Sequence, residues 1–152
     1  MRYSRTSPRI KITSIGKDKG HMEELTNWTR GFKVLIVEDS PLFRRVFKET
    51  LQFQFPLIEI DEAAGGEEAL QKIETFNPDL IFMDIRLPGK NGLELTQEIK
   101  ARHPRIIVSI LTSYDLPEYK EASNRCADYF FLKGSATPES IFALVRSILL
   151  PT

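Results

Sequence analysis

Phe82-Met83-Asp84-Ile85-Arg86-Leu87-Pro88-Gly89-Lys90-Asn91-Gly92 is the stretch that decides how this chain folds. It opens as the end of an apolar run, Leu80-Ile81-Phe82-Met83, of the kind that makes a strand buried on both faces. The run stops at a carboxylate, Asp84, and a loop containing Pro88 and Gly89 follows at once. A strand covered on both faces belongs to a parallel sheet, and its carboxyl end opens onto the crevice where such sheets bind ligands. Alone, a strand-ending Asp is more often a turn former. The ends of the other strands decide between the two readings.

Upstream, Lys33-Val34-Leu35-Ile36-Val37-Glu38 is a short apolar strand that ends in acids. Asp39-Ser40-Pro41 reads as a helix start, with a capping side chain and Pro in the first turn. Leu42, Phe43, Val46, Phe47, Thr50 and Leu51 recur at intervals of three and four and predict one buried helix face. Pro56 breaks that helix, and Leu57-Ile58-Glu59-Ile60-Asp61 alternates as a strand nearer an edge. Gly65-Gly66 precedes a second helix, with Ala69, Leu70, Ile73 and Phe76 on its apolar face, and Asn77-Pro78 ends it.

Downstream the rhythm repeats. Residues 91–102 predict a helix using Leu93, Leu95, Thr96 and Ile99. Residues 105–111 predict a buried strand ending at Thr112, and residues 115–124, with Pro117 and few apolar side chains, a weakly held helix. Asp128-Tyr129-Phe130-Phe131-Leu132 is the last strand, ending at Lys133, and Thr137-Pro138-Glu139 starts a final helix carrying Ile141, Leu144, Val145 and Ile148. Five strands alternating with five helices call for a doubly wound α/β fold, a parallel sheet with helices on both sides.

The 152 residues suit one ordinary domain, and 41% apolar with 28% charged side chains describes a globular protein. Twenty-one basic and 21 acidic side chains cancel, but residues 1–20 hold six Lys/Arg against Asp18, which leaves the remainder at −5. Within residues 1–31 only Arg9-Ile10-Lys11-Ile12-Thr13 alternates, enough for a short strand, and Met22 offers an alternative start. These residues are expected to form a basic, flexible extension rather than a nucleic-acid arm, with the globule at 32–150. One cysteine, Cys126, excludes an internal disulfide and suits a reducing cytoplasm. No run approaches the roughly 18 apolar residues that span a membrane. His21 and His103 read as surface residues.

In a parallel sheet all strand ends lie on one rim. Strand one ends in Glu38-Asp39, strand three in Asp84, strand four in Thr112 and strand five in Lys133. Singly, these are a helix cap, a β-branched strand residue and a surface charge. Together they make chemical sense. Three crowded carboxylates repel one another and would repel a phosphoryl group, and a divalent cation resolves both problems. Oxygen-only ligands suit Mg²⁺ rather than a metal held by cysteine or histidine. Asp84 can then attack phosphorus to give an aspartyl phosphate. Thr112 can donate its hydroxyl to one phosphoryl oxygen and Lys133 can neutralise another. Ser113 is small and leaves the rim open to a donor.

At these residues the chain resembles the response-regulator receiver domains of two-component signalling. The likeness runs from about Phe32 to Leu149. It rests on Val34-Leu35-Ile36-Val37-Glu38-Asp39-Ser40, the stretch Asp84 to Gly92, Leu111-Thr112-Ser113 and Leu132-Lys133-Gly134-Ser135. The resemblance implies a flavodoxin-like five-stranded sheet of order 2-1-3-4-5 and makes Asp84 the phosphoacceptor. It places Glu38 and Asp39 in an acidic pocket, with Asp39, Asp84 and the Arg86 carbonyl on Mg²⁺. It sets Thr112 and Lys133 on the phosphoryl group, and makes Thr112 and Phe130 the switch pair. It also implies a histidine kinase or phosphotransfer protein as donor, and self-catalysed phosphorylation and dephosphorylation rather than turnover of an external substrate. Its output would be a protein partner or self-association through residues 115–149, with no direct nucleic-acid or membrane contact. Gly134 stands where family members often have Pro in a cis peptide, so a cis bond there loses its main cause.

Two outputs stay open. One is signalling through protein contacts. The other is the receiver part of a DNA-binding regulator whose output domain is not in this chain, because Lys133-Gly134-Ser135-Ala136 followed by Pro138-Glu139 resembles receivers of that kind. A hydrolytic phosphatase with an aspartyl nucleophile after strand one needs a second Asp two residues later. Asp39 is followed by Ser40-Pro41-Leu42, which sets that reading aside. Gly65-Gly66 lacks the Lys-Ser/Thr partner of a P-loop.

Overall fold

The computed structural model describes residues 31–150, so the strand read at residues 9–13 and most of the basic extension lie outside the described residues. Strands and helices alternate in the order β1 (Lys33–Val37), α1 (Pro41–Gln54), β2 (Glu59–Ala63), α2 (Gly66–Phe76) and β3 (Leu80–Met83). They continue with α3 (Gly92–Arg102), β4 (Ile107–Thr112), α4 (Pro117–Cys126), β5 (Tyr129–Leu132) and α5 (Pro138–Leu149). All four strand pairings are parallel and the sheet order is β2-β1-β3-β4-β5, as the resemblance implied.

Strand alternation builds a core on each face. Val34, Ile36, Leu80 and Phe82 point to the face covered by Leu51 of α1 and by Ile141, Leu144 and Val145 of α5. Leu35, Val37, Ile81 and Met83 point to the other, where Ala69 and Ile73 of α2 and Leu95 and Ile99 of α3 cover them. The central strand is buried along its whole length. Helix starts follow local chemistry. The Ser40 side chain accepts the Phe43 N–H and Pro41 opens α1, Asn91 caps α3 through the Leu93 N–H, and Thr137 forms a reciprocal capping box with Ser140. The α4 start has no side-chain cap, and Ser123 alone of its residues is fully buried, which makes it the weakly held helix expected.

Two expectations need correction. The apolar stripe of α1 is wider than the surface that covers it. Leu51 is buried and Phe43 and Phe47 are half-buried, but Leu42 is 63% and Val46 51% exposed. Each stands one residue, about 100° around the helix, from Phe43 or Phe47, and α1 meets the sheet and α5 along one side only. The second strand spans Glu59–Ala63 rather than 57–61. Its partner β1 begins at Lys33, whose register mate is Glu59, so Ile58 is buried before strand pairing starts. No peptide bond among the described residues is cis.

Candidate functional site

Register brings the strand ends together. Val37 pairs with Met83 and Met83 with Ile110, so Glu38 and Asp84 leave adjacent strands at one level. Thr112 pairs with Leu132, which places Lys133 next along the rim. Backbone bonds lock these exits: Asp84 N–H donates to Val37 O at 3.0 Å, Glu38 N–H to Ala63 O at 3.0 Å and Lys133 N–H to Thr112 O at 2.8 Å. The Arg44 guanidinium donates to the Glu38 carbonyl at 2.7 Å and ties α1 to the same corner.

One carboxylate oxygen each from Glu38, Asp39 and Asp84 lies within 4.8 Å of the others. Glu38 is 2% and Asp84 6% exposed, while Asp39 faces solvent. Asp84 Oδ1 accepts the Ile85 N–H at 2.8 Å, which fixes the carboxylate plane. Its Oδ2 is 3.6 Å from Lys133 Nζ. The lysine makes its tighter ion pair with Glu38 Oε1, and Glu38 Oε2 accepts the Ser40 N–H at 3.1 Å. Crowding raises the affinity of Asp39 for a proton. The Asp39 carboxyl is held above the usual carboxylate range, first by its hydrogen bond with Glu38, then by the slight loss of hydration on the side that faces the pocket and by the like charge of Glu38.

Thr112 is wholly buried, and its Oγ1 accepts the Tyr114 N–H at 3.4 Å, so the hydroxyl keeps a hydrogen to donate. Phe130 is half-buried against the core on the α2, α3 and α4 face. The Arg86 side chain leaves the pocket and lies with its guanidinium carbon 4.0 Å from the centroid of the Tyr114 ring. A hydrogen bond to Tyr119, followed by the charge environment of Tyr114, holds the Arg86 guanidinium above its ordinary value. Tyr114 and Tyr119 meet edge to face at 6.4 Å. The structure thus gathers Glu38, Asp39, Asp84 and Lys133 at one point and puts Thr112 beside them. Phe130 stands behind, on the strand that leads to Lys133. Sequence reading missed two neighbours of this cluster. Phe43, counted as core, lies under the Lys133 ammonium at 4.0 Å, and Tyr119 reaches Arg86 from α4. Neither carries a local signal, because both contacts cross between elements.

The family model of the response regulator receiver domain matches residues 34–146. The chain belongs to the response regulator receiver family. This receiver is 34% identical over 113 residues to a chemotaxis protein CheY of Halobacterium salinarum, covering 74% of this chain and 92% of that protein. It is 33% identical over 117 residues to the oxygen regulatory protein NreC of Staphylococcus carnosus, covering 76% of this chain and 54% of that one. Among solved structures it resembles response regulator TrrA of Thermotoga maritima in complex with Mg²⁺-BeF. The TM-score is 0.69 at 34% identity, covering 77% of this chain and 98% of that one. A DNA-binding response regulator of the LuxR family from Staphylococcus aureus gives a TM-score of 0.71 at 28% identity, covering 78% and 98%. The chain spans about half the length of the NreC relative and 41% of the regulatory protein DegU of Brevibacillus brevis.

Receivers of this family bind Mg²⁺ at an acidic site. The donor set of this receiver fits a hard cation: three carboxylates converge with neither histidine nor cysteine among them. No helix among the described residues is long and apolar enough to cross a membrane.

Proposed function

We propose that this receiver, spanning residues 32–150, accepts a phosphoryl group on Asp84 from a histidine kinase or a phosphotransfer protein in the cytoplasm and thereby switches a protein-interaction surface. The observation that carries the reading is the convergence of Glu38, Asp39, Asp84 and Lys133 at one rim. Asp84 Oδ2 attacks phosphorus, the new P–O bond forms as the P–N bond of the donor breaks, and the donor nitrogen departs with the electron pair. Mg²⁺ would be held by Asp39, Asp84 and the Arg86 carbonyl, with Glu38 completing the acidic pocket, and would supply positive charge against the phosphoryl oxygens. Lys133 turns from Glu38 to one phosphoryl oxygen and Thr112 donates its hydroxyl to another.

A second reading is favoured by the relatives. NreC, DegU and the LuxR-family protein are regulators, and this chain spans only part of the first two. In it the receiver controls a DNA-binding module that this sequence does not contain. The test of the common core is intact-mass measurement after incubation with phosphoramidate and Mg²⁺. One added phosphate on the native chain and none on Asp84→Asn is the expected result. Full labelling of the variant would refute Asp84 as acceptor.

A further inference from the structure

Lys133 has a neighbour that charge alone does not require. Its ammonium is paired with Glu38, stands 3.6 Å from Asp84 Oδ2, and also lies 4.0 Å from the centroid of the Phe43 ring. The cation is therefore held between two carboxylates and an aromatic face. That face is itself anchored. Phe43 stacks on Phe47 at 5.6 Å with 17° between the planes, and Phe47 meets Phe82 edge-on at 4.9 Å and 87°. Phe82 is fully buried in β3, two residues before Asp84. The floor beneath the lysine is thus built onto the strand that carries the phosphoacceptor.

A lysine needs such a floor. Its ammonium sits on a flexible four-carbon stem with three rotatable donors, and here the next residue is Gly134, whose missing side chain would meet nothing within 4 Å. In the proposed reaction the ammonium leaves Glu38 for a phosphoryl oxygen, so it must stay at the rim while it turns. A carbonyl or carboxylate acceptor would resist that rotation. An aromatic face attracts a cation through its quadrupole, with no single bonded direction.

We propose that Phe43 is a positioning residue, whose ring keeps the Lys133 ammonium at the carboxylate cluster ready for the incoming phosphoryl group. This rests on the phosphoryl-transfer reading above. The Phe43 ring meets the Lys133 ammonium. It acts through Lys133.

The experiment uses the full chain with phosphoramidate, a small donor that needs no protein docking, and follows intact mass with time. Phe43→Leu keeps an apolar side chain and removes the ring, and its maximal phosphorylation rate is expected to fall about 3- to 30-fold, the range of a partly desolvated cation–π contact. Phe43→Tyr keeps the ring and the rate. The half-saturating donor concentration stays close to native in both. Fluorinated phenylalanines at position 43 drain the ring face with little change of shape, and the logarithm of the rate should fall stepwise with fluorine number at an unchanged unfolding temperature. They decide the matter even if Phe43→Leu folds poorly. Native rates across the fluorinated series, or equal losses in Phe43→Tyr and Phe43→Leu, overturn the inference and leave Phe43 as packing. A native chain that takes no phosphate overturns the underlying reading instead.

Discussion

A β-carbon placed on Gly92 would lie 1.9 Å from the carbonyl oxygen of Asp84. The same carbon would stand 2.9 Å from both Asp84 C and Ile85 Cα, so backbone, not a movable side chain, blocks the space. The Gly92 N–H donates to Ile85 O at 2.7 Å, and Gly92 is the first residue of α3. The loop from Asp84 to Gly92 is therefore folded back so tightly that only glycine closes it. Gly92→Ala should destabilise the fold by about 3 kcal/mol, the upper end of overpacking, and slow phosphorylation by displacing the Asp84 backbone. Urea unfolding measures the first effect and intact mass the second. Native stability in the variant contradicts the close approach.

Asp39 predicts a pH dependence whose sign comes from its raised carboxyl. A group whose folded value lies above its unfolded one contributes stability below the unfolded value and loses that contribution as pH rises through the folded value. Asp39→Asn should accordingly unfold at higher temperature than the native chain near neutral pH without Mg²⁺. The difference should shrink as pH falls towards the ordinary Asp value of 3.8. Mg²⁺ at ten times its dissociation constant should stabilise the native chain by about 1.4 kcal/mol and the variant less. Melting curves between acid and neutral pH, with and without Mg²⁺, check both. Equal melting of the two proteins at neutral pH counts against the crowding.

Arg86 and Tyr114 lie against each other, with Tyr119 behind them. Neither side chain is an acid or amide suited to orient a water against the phosphoryl group, and the phosphorylated form is expected to hydrolyse slowly. The double variant Arg86→Asn, Tyr114→Glu should hydrolyse on the order of tenfold faster, below the 10²–10⁴ range of a fully engaged acid–base group. A phosphate-release assay decides, and a native chain faster than the variant sinks the idea.

Output is expected from α4, β5 and α5. Two charge-assisted contacts to a bound phosphoryl group, from Thr112 and Lys133, would contribute about 3–6 kcal/mol together, against about 5.5 for a full two-state shift. The segment least costly to move is α4, uncapped at its start and with only Ser123 fully buried. Phe130 is half-buried and carries no hydroxyl, so packing alone sets its balance. Beryllofluoride with Mg²⁺ should shift backbone amides throughout residues 112–135. Shifts confined to the surroundings of Asp84 would show that no such coupling operates.

Sequence alone determined the alternation of strands and helices, their parallel arrangement and the carboxylate rim. Those signals are local. The four-residue apolar run at 80–83 has the composition of a doubly covered strand, Ser40 and Asn91 cap the helices that begin beside them, and strands one, three, four and five each run up to a polar residue, whereas the alternation at 57–61 put strand two two residues early. Tertiary structure alone decided what meets what across the crossovers. The α1 repeat did not reveal that Leu42 and Val46 lie outside the covered arc, since periodicity marks a stripe and not the width of its partner. Nor did it reveal Phe43 under Lys133, because residues so far apart along the chain become neighbours only through strand order and register. The Tyr119 contact with Arg86 and the closure of Gly92 onto Asp84 have the same origin. A chain spells out what each residue is, while the distance between two of them is set by the sheet that both are packed against.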